Sequence, residues 1–405
     1  MIQFAAESPV DASIEAEVNQ TLQDAIAAGA SDVFVMAEQA GTRIATRRHG
    51  VMRTRSAMTA ERGKQFIRYV KAMAGMNISE SRRPLDGRWL HDIDGLRVDL
   101  RINTIATLFG EDMSLRIWDH SQELRHLTEL GMHDSDISTL LGMLNNPSGL
   151  ILVTGPTGTG KTTTLYACLK YLNNGLRKIN TLEDPIEYAL EGIRQSQVDD
   201  RLGLDFPELL RHILRQAPDV IMIGEIRDSE TANTAIRAAN SGHLVLATLH
   251  APRAASAVQS MLAYGANPHF LSSSLIGIVA QRLVRMLCNE CRVHYDIAES
   301  ATTFDEIREM LPTDQLVQVF GPRGCEQCCD SGYVAQTGLF ELMTMNQPMR
   351  RLVADATSSD EIERVAIAGG MLDIRRSALL KVARGETSID EILRDVPHEY
   401  LGIDG

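Results

Sequence analysis

A stretch long and apolar enough to cross a bilayer is missing from this chain of 405 residues. The nearest approach, Leu271 to Leu287, is interrupted by Gln281, Arg282 and Arg285. A spanning helix needs about 20 apolar residues, so direct membrane insertion is not expected. Met1 to Asp11 has neither a basic start nor an apolar core, so no signal peptide is expected and the chain is placed in the cytoplasm. Positive charge is scarce as well: 40 Lys and Arg against 53 Asp and Glu give a net charge of −13. A sequence-independent nucleic-acid binder shows a basic surface, so nucleic acid is not an expected partner. Aromatic residues make up only 5%, but a hydrophobic fraction of 44% is ample for two or three packed domains. Cysteines number six, and five of them fall between 288 and 329. In a cytoplasmic chain that clustering points to metal rather than to disulfides. There is no internal repeat and no low-complexity tract.

What is present starts with Gly155-Pro156-Thr157-Gly158-Thr159-Gly160-Lys161-Thr162. It satisfies the phosphate-loop pattern G-x-x-x-x-G-K-[ST] at every required position. The apolar run Leu150 to Val153 precedes it as a buried strand, and Thr162 to Leu172 follows as a helix. Backbone N–H groups released by the glycines can close on phosphate oxygens at a helix N-terminus. Lys161 is expected to reach the β- and γ-phosphates, and Thr162 to bind Mg²⁺. The chain is therefore expected to bind a nucleoside triphosphate, through Gly155, Pro156, Thr157, Gly158, Thr159, Gly160, Lys161, Thr162 and Thr163.

Three further segments bear on what is done with it. Thr181 to Glu187 holds three carboxylates, Glu183, Asp184 and Glu187, in seven residues. A strand ending there places them beside the phosphate loop, where magnesium and an attacking water need oxygen acceptors. Alone, such a loop is more often a solvated turn. Asp219 to Glu225 is an apolar strand that delivers Glu225 to the same edge. Gly242 to His250 is another, bracketed by His243 and His250, which read equally as structural residues or as sensors of the γ-phosphate.

The fold class is α/β. Residues 1–15 form a tail, and 16–118 a small α/β domain with a helix at Glu15–Ala28, strands at Asp32–Met36 and Thr42–Thr46, and a helix at Thr59–Ala74 whose buried face holds Phe66, Ile67, Val70 and Met73. Leu96, Val98, Leu100 and Ile102 alternate with Arg97, Asp99, Arg101 and Asn103, predicting a half-buried strand with a charged outer face. Met113, Leu115 and Ile117 alternate in the same way. Residues 119–146 form a linker and a helix. Strands and helices alternate through a phosphate-loop core at 147–287, a cysteine subdomain occupies 288–344, and 345–405 is helical.

The cysteines form two C-x-x-C pairs, Cys288/Cys291 and Cys325/Cys328, which can complete a tetrahedral, four-thiolate Zn²⁺ site. With no open position, such a zinc is structural. Cys329 is a competitor for the place of Cys328, and Cys168 reads as core.

Taken in order, the phosphate loop, Glu183-Asp184-Pro185-Ile186-Glu187, Asp219 to Asp228 and Gly242 to His250 resemble the ATPases of type II secretion and type IV pilus assembly, from about Ala30 to Pro397. The resemblance implies a PAS-like N-terminal domain and a RecA-like ATPase domain, in a ring-shaped homo-hexamer that hydrolyses ATP with Mg²⁺. It implies a cytoplasmic motor held at the inner membrane by a platform protein of a secretion or pilus machine. By this likeness Glu187 is the general base, Glu225 the acid supporting Mg²⁺, His243 and His250 a histidine pair, and Glu183 and Asp184 part of the nucleotide site. Arg101 and Arg116 match arginines that the N-terminal domain supplies to the nucleotide; guanidinium suits a γ-phosphate gathering charge, although outer-face arginines also simply solvate a sheet. The two C-x-x-C pairs resemble assembly members rather than retraction ones. Departures are Phe34 for a frequent His, Ala217 for Asp, Ala251-Pro252 for Thr-Asn, Gln336 for Arg, and a match that begins near residue 20 without the long docking extension. Alternatives are the motor of a conjugation, type IV secretion or pilus retraction system, a nucleotide-binding scaffold, and phosphoryl transfer to a small substrate.

Overall fold

The computed structural model describes residues 13–93, 96–119, 124–295, 302–311 and 319–402. Most of the 1–15 tail and residues 120–123 of the expected linker lie outside the described residues. The chain divides into two compact units, Met1–Glu123 and Leu124–Gly405.

The first unit contains α1 (Ile14–Ala27), β1 (Asp32–Glu38), β2 (Gly41–Arg48), β3 (Val51–Met58), α2 (Ala60–Met73), β4 (Leu85–Ile93), β5 (Leu96–Thr107) and β6 (Gly110–Asp119). Its six strands form one antiparallel sheet in the order β3-β2-β1-β6-β5-β4. Side-chain oxygens of Ser13 and Thr59 cap the N-termini of the two helices. Val18 and Leu22 of α1 and Phe66, Ile67 and Val70 of α2 pack on Val98, Leu100, Ile102, Leu115 and Ile117 from the sheet. Met73 is half exposed, because the buried stripe runs on from Val70 to Ala74 instead. Asp99 also departs from expectation: it is buried under the guanidinium of Arg88, which grips both its carboxylate oxygens. The two unanticipated strands, β3 and β4, are the sheet's edges; β3 is exposed along most of its length and carries no apolar alternation.

The second unit contains α3 (Asp134–Leu144), β7 (Gly149–Thr154), α4 (Lys161–Leu172), β8 (Ile179–Glu183), β9 (Arg194–Gln197), α5 (Phe206–Leu214), β10 (Val220–Ile223), α6 (Ser229–Asn240), β11 (Leu244–Leu249), α7 (Ala254–Ala263), α8 (Pro268–Ser274), β12 (Leu275–Leu287), β13 (Val293–Tyr295), β14 (Val319–Gly321), β15 (Tyr333–Thr344) and helices α9 (Gln347–Ala354), α10 (Ser359–Ala368), α11 (Ile374–Ala383) and α12 (Ile389–Asp395). Seven strands form a sheet in the order β15-β12-β7-β11-β10-β8-β9, all parallel except β15. Alternate residues of its central strands feed two separate cores. Leu150, Leu152, Ile221, Ile223, Val245 and Ala247 pack with α5, α6 and α7 on one face. Ile151, Val153, Val220, Met222, Leu244 and Leu246 pack with α3 and α4 on the other. Burial on both faces is why these strands read as unbroken apolar runs. The carboxyl ends of β7, β8, β10 and β11 share one edge, which is where ligands bind in such sheets.

Candidate functional site

Residues 155–160 carry the chain from β7 into α4. Gly160 caps the helix at φ 83°, a left-handed conformation that a side chain would strain. At Gly155 the constraint is space: a Cβ would lie 2.4 Å from the carbonyl oxygen of Gln281. Thr162 and Thr163 are exposed in the first turn of α4, at the positive end of its dipole.

The Lys161 ammonium donates to the carbonyls of Gly155 (2.8 Å) and Pro156 (3.0 Å) and lies 3.3 Å from Nδ1 of His250. His250 Nε2 is 2.8 Å from Glu225 Oε1. An ammonium can only donate, so Nδ1 accepts and Nε2 carries the proton given to Glu225. Glu225 also accepts from Arg227 at 2.7 Å, and Arg227 reaches Asp184 at 3.4 Å. Lys161, His250, Glu225, Arg227 and Asp184 thus form one chain of contacts along the carboxyl edge. Burial lowers the Lys161 pKa, against the opposing pull of the Glu225 charge.

The carboxylates between 183 and 187 divide by orientation. Glu183 is buried and accepts from the hydroxyls of Tyr166 and Thr181 and, at 3.0 Å, from the Gln195 amide. Its carboxylate is engaged within the domain, tying α4 to β8. Burial and Glu183 together raise the Tyr166 pKa. The same Tyr166 oxygen accepts from the backbone N–H of Glu187 at 3.3 Å, so it also locates that residue. Asp184 is exposed, and its peptide bond to Pro185 is cis.

His243 does not join this group. It precedes β11 while His250 follows it, and six residues of strand separate them by about 20 Å. Its Nδ1 lies 2.9 Å from the carbonyl of Ala238, and its own carbonyl accepts from Gly149 at the start of β7, the opposite edge of the sheet. Arg101 and Arg116 belong to the first unit, where they face each other in register on β5 and β6. Arg101 sits 5.2 Å over the Trp118 ring, and Arg116 is 3.3 Å from Asp32.

The four cysteines of the two C-x-x-C pairs converge, with all their Sγ atoms within 4.8 Å of one another. Cys288–Cys325 and Cys291–Cys328 are 3.8 Å apart and Cys325–Cys328 3.7 Å. A tetrahedron with metal–sulfur bonds of about 2.3 Å has edges of about 3.8 Å, so the donor set fits a structural metal ion. Cys291 accepts from the N–H of Gly324, and Cys328 from those of Cys325 and Gly332. Burial works against the Cys328 thiolate, but these N–H groups bring its pKa down to about 6. Cys329 is exposed, in a left-handed turn, and lies outside the four. Cys168 is buried in the core under α4, and burial raises its pKa to about 12.

Residues 7–394 match the type II/IV secretion system protein family. The chain belongs to that family. Type II secretion system protein E of Aeromonas hydrophila is 41% identical over 384 residues, covering 95% of this chain and 76% of the relative. The type IV pilus assembly ATPase PilB of Pseudomonas aeruginosa is 38% identical, covering 95% and 69%. In fold, the chain is similar to the ATPase DotB of Legionella pneumophila, with a TM-score of 0.70 at 20% identity over 96% of this chain and 97% of that one. As a secretion-family ATPase the chain hydrolyses ATP. Among its described residues no helix is long and apolar enough to cross a membrane.

Reading this secretion ATPase from sequence missed Arg227, Tyr166 and Gln281. Arg227 stands two residues after Glu225, inside the Asp219–Asp228 segment, where its charge beside an acid was the available signal. Gln281 passed for an interruption of an apolar run, yet it is buried. A lone amide among Val279, Ala280 and Leu283 was the available signal.

Proposed function

We propose that this chain is the cytoplasmic motor of a pilus-like assembly or type II secretion machine, acting as a ring of six copies on an inner-membrane platform protein. The observation that carries the reading is the chain of contacts from Lys161 through His250 to Glu225 along the carboxyl edge of the sheet. It joins the loop that holds phosphates to the acid placed to support a metal, so the γ-phosphate's presence or loss is felt at both. Mg²⁺ suits the donors at this edge, the Thr162 hydroxyl and the Glu225 carboxylate, and would neutralise charge on the phosphates. Glu187 takes the proton of the attacking water. Arg101 and Arg116 supply positive charge to a γ-phosphate gathering charge in the transition state.

The cysteine centre holds zinc and stiffens a subdomain at 288–344, between an ATPase core at 147–287 and a helical part at 345–405; the N-terminal domain is 16–118 and the linker 119–146. The two C-x-x-C pairs favour assembly or secretion over retraction. Light scattering on Glu187→Gln, with and without Mg-ATP, tests the ring. One chain is 44.6 kDa, so a nucleotide-dependent species near 268 kDa supports a closed hexamer. A monomer under both conditions, with active wild type, removes the ring from the proposal.

A further inference from the structure

β12 pairs with β7 only as far as Ala280 opposite Thr154, the last residue before the phosphate loop. The next residue on β12 is Gln281, and it touches the loop at both ends. Its carbonyl oxygen occupies the space a Cβ on Gly155 would need. Its Nε2 donates to the carbonyl of Thr159 at 2.6 Å, and its Oε1 accepts from Thr164 Oγ1 at 2.8 Å. The amide is 2% exposed with both of its ends bonded. An apolar residue here would strand the Thr159 carbonyl.

We propose that Gln281 is a positioning residue for the phosphate loop, setting the direction of a backbone donor that binds the nucleotide's phosphates. The Thr159 carbonyl and the Gly160 N–H belong to one trans peptide plane and point opposite ways. Fixing the carbonyl on Gln281 therefore aims the Gly160 N–H away from β12. The Thr159 carbonyl can only accept, so Nε2 must face it; Oε1 then faces Thr164, whose hydroxyl turns to donate and anchors the amide's other end. Thr164 lies in the first turns of α4, so loop and helix are held in one register by a single side chain from the neighbouring strand. Backbone donors of such a loop serve the α- and β-phosphates, which ADP and ATP share. Gln281 thereby acts on both nucleotides alike, through Gly160 and without touching them.

This rests on reading 155–162 as the phosphate loop, and the test separates the two. Affinities for ADP and for ATP are measured with Mg²⁺ by titration calorimetry on the full chain, for Gln281→Leu, Thr164→Val and Lys161→Ala. Thermal midpoints without nucleotide report whether each variant is folded. Gln281→Leu is expected to weaken ADP and ATP by the same factor, at least tenfold, with a raised KM and a smaller change in kcat. Thr164→Val, nearly isosteric, is expected to weaken both by about threefold, because a buried Oε1 without its donor loosens the amide's hold on Thr159. Should Gln281→Leu not fold, Thr164→Val decides alone. Unchanged ADP affinity in a folded Gln281→Leu, or in Thr164→Val if that is the one that decides, overturns the proposal. If Lys161→Ala also binds ADP normally, the phosphate-loop reading fails with it; if Lys161→Ala abolishes binding, the positioning role alone is rejected.

Discussion

Replacing Cys291 by serine removes one corner of the thiolate tetrahedron and leaves everything around it. The three sulfur–sulfur edges of 3.7 to 3.8 Å match a metal about 2.3 Å from each ligand. A serine hydroxyl is a far weaker donor than a thiolate, so occupancy should collapse. Structural zinc sites in isolated zinc-finger peptides are worth about 10–16 kcal/mol of folding free energy. Here only part of that reaches the domain. The strands on either side are laddered independently from Gly277 opposite Thr344 to Leu287 opposite Tyr333, and Glu391 grips Arg285 and Arg394 from α12. The expected loss is therefore a few kcal/mol, on the order of 2–4, confined largely to the segment between the two strands. Mass spectrometry of elements should find about one zinc per wild-type chain and under about a tenth in Cys291→Ser. Limited proteolysis should then cut between 288 and 332 while the rest of the ATPase unit resists. Full metal content in the variant, or wild type without metal after growth in zinc, refutes the four-thiolate centre. A collapse of the whole unit refutes the local reading.

Lys161→Ala should abolish nucleotide binding or turnover, measured by calorimetry and phosphate release; near-normal ATPase contradicts the role given to the loop. Glu187→Gln should bind ATP and not hydrolyse it, so retained turnover moves the base elsewhere. His250→Ala should reduce turnover far more than His243→Ala, because only His250 touches Lys161 and Glu225; equal losses contradict that division. The contribution of two buried carboxyls to stability should fall as pH rises. Burial raises the Glu341 pKa from 4.5 to about 7 and the Asp136 pKa from 3.8 to about 6. A folded pKa above the unfolded one means the native state holds more protons in between. The stabilisation is thus complete below about pH 4.5 and lost as pH rises through 7, by about 3 kcal/mol for Glu341. Glu341→Gln should flatten the pH dependence of urea unfolding between pH 5 and 7.5, and an unchanged slope rejects the assignment.

How far the fold was legible depends on how many faces each strand buries. β7, β10 and β11 are covered on both sides, and continuous apolar runs announced them. β15 was not anticipated, because Gln336, Thr337 and Glu341 interrupt it. Thr337 and Glu341 are nonetheless buried, and the donors that satisfy Glu341 are the N–H groups of Ala254 and Ile374, 87 and 33 residues away in sequence. The same limit applied at the site. Three carboxylates in seven residues marked a reactive turn, but Thr181 and Glu183 share the face toward Tyr166, and only packing shows that Glu183 is turned inward. His243 and His250 look equivalent in sequence, and the strand between them sends one to each edge.

Leu287 and Tyr333 are register partners on adjacent antiparallel strands, so everything between them is, in connectivity, an oversized hairpin turn. A handful of residues could join β12 to β15 and leave the seven-stranded sheet intact. Removing the insert has another effect, however. Phe304, Ile307, Leu311 and Val319 come from it and lie against Ile374, Ala378 and Val382 of α11. A shortened chain would keep its topology and expose an oily flank, so a viable short form must also make that flank of α11 polar. The prediction can be checked in any sequence that carries a tight turn here: the residues at those α11 positions should be hydrophilic.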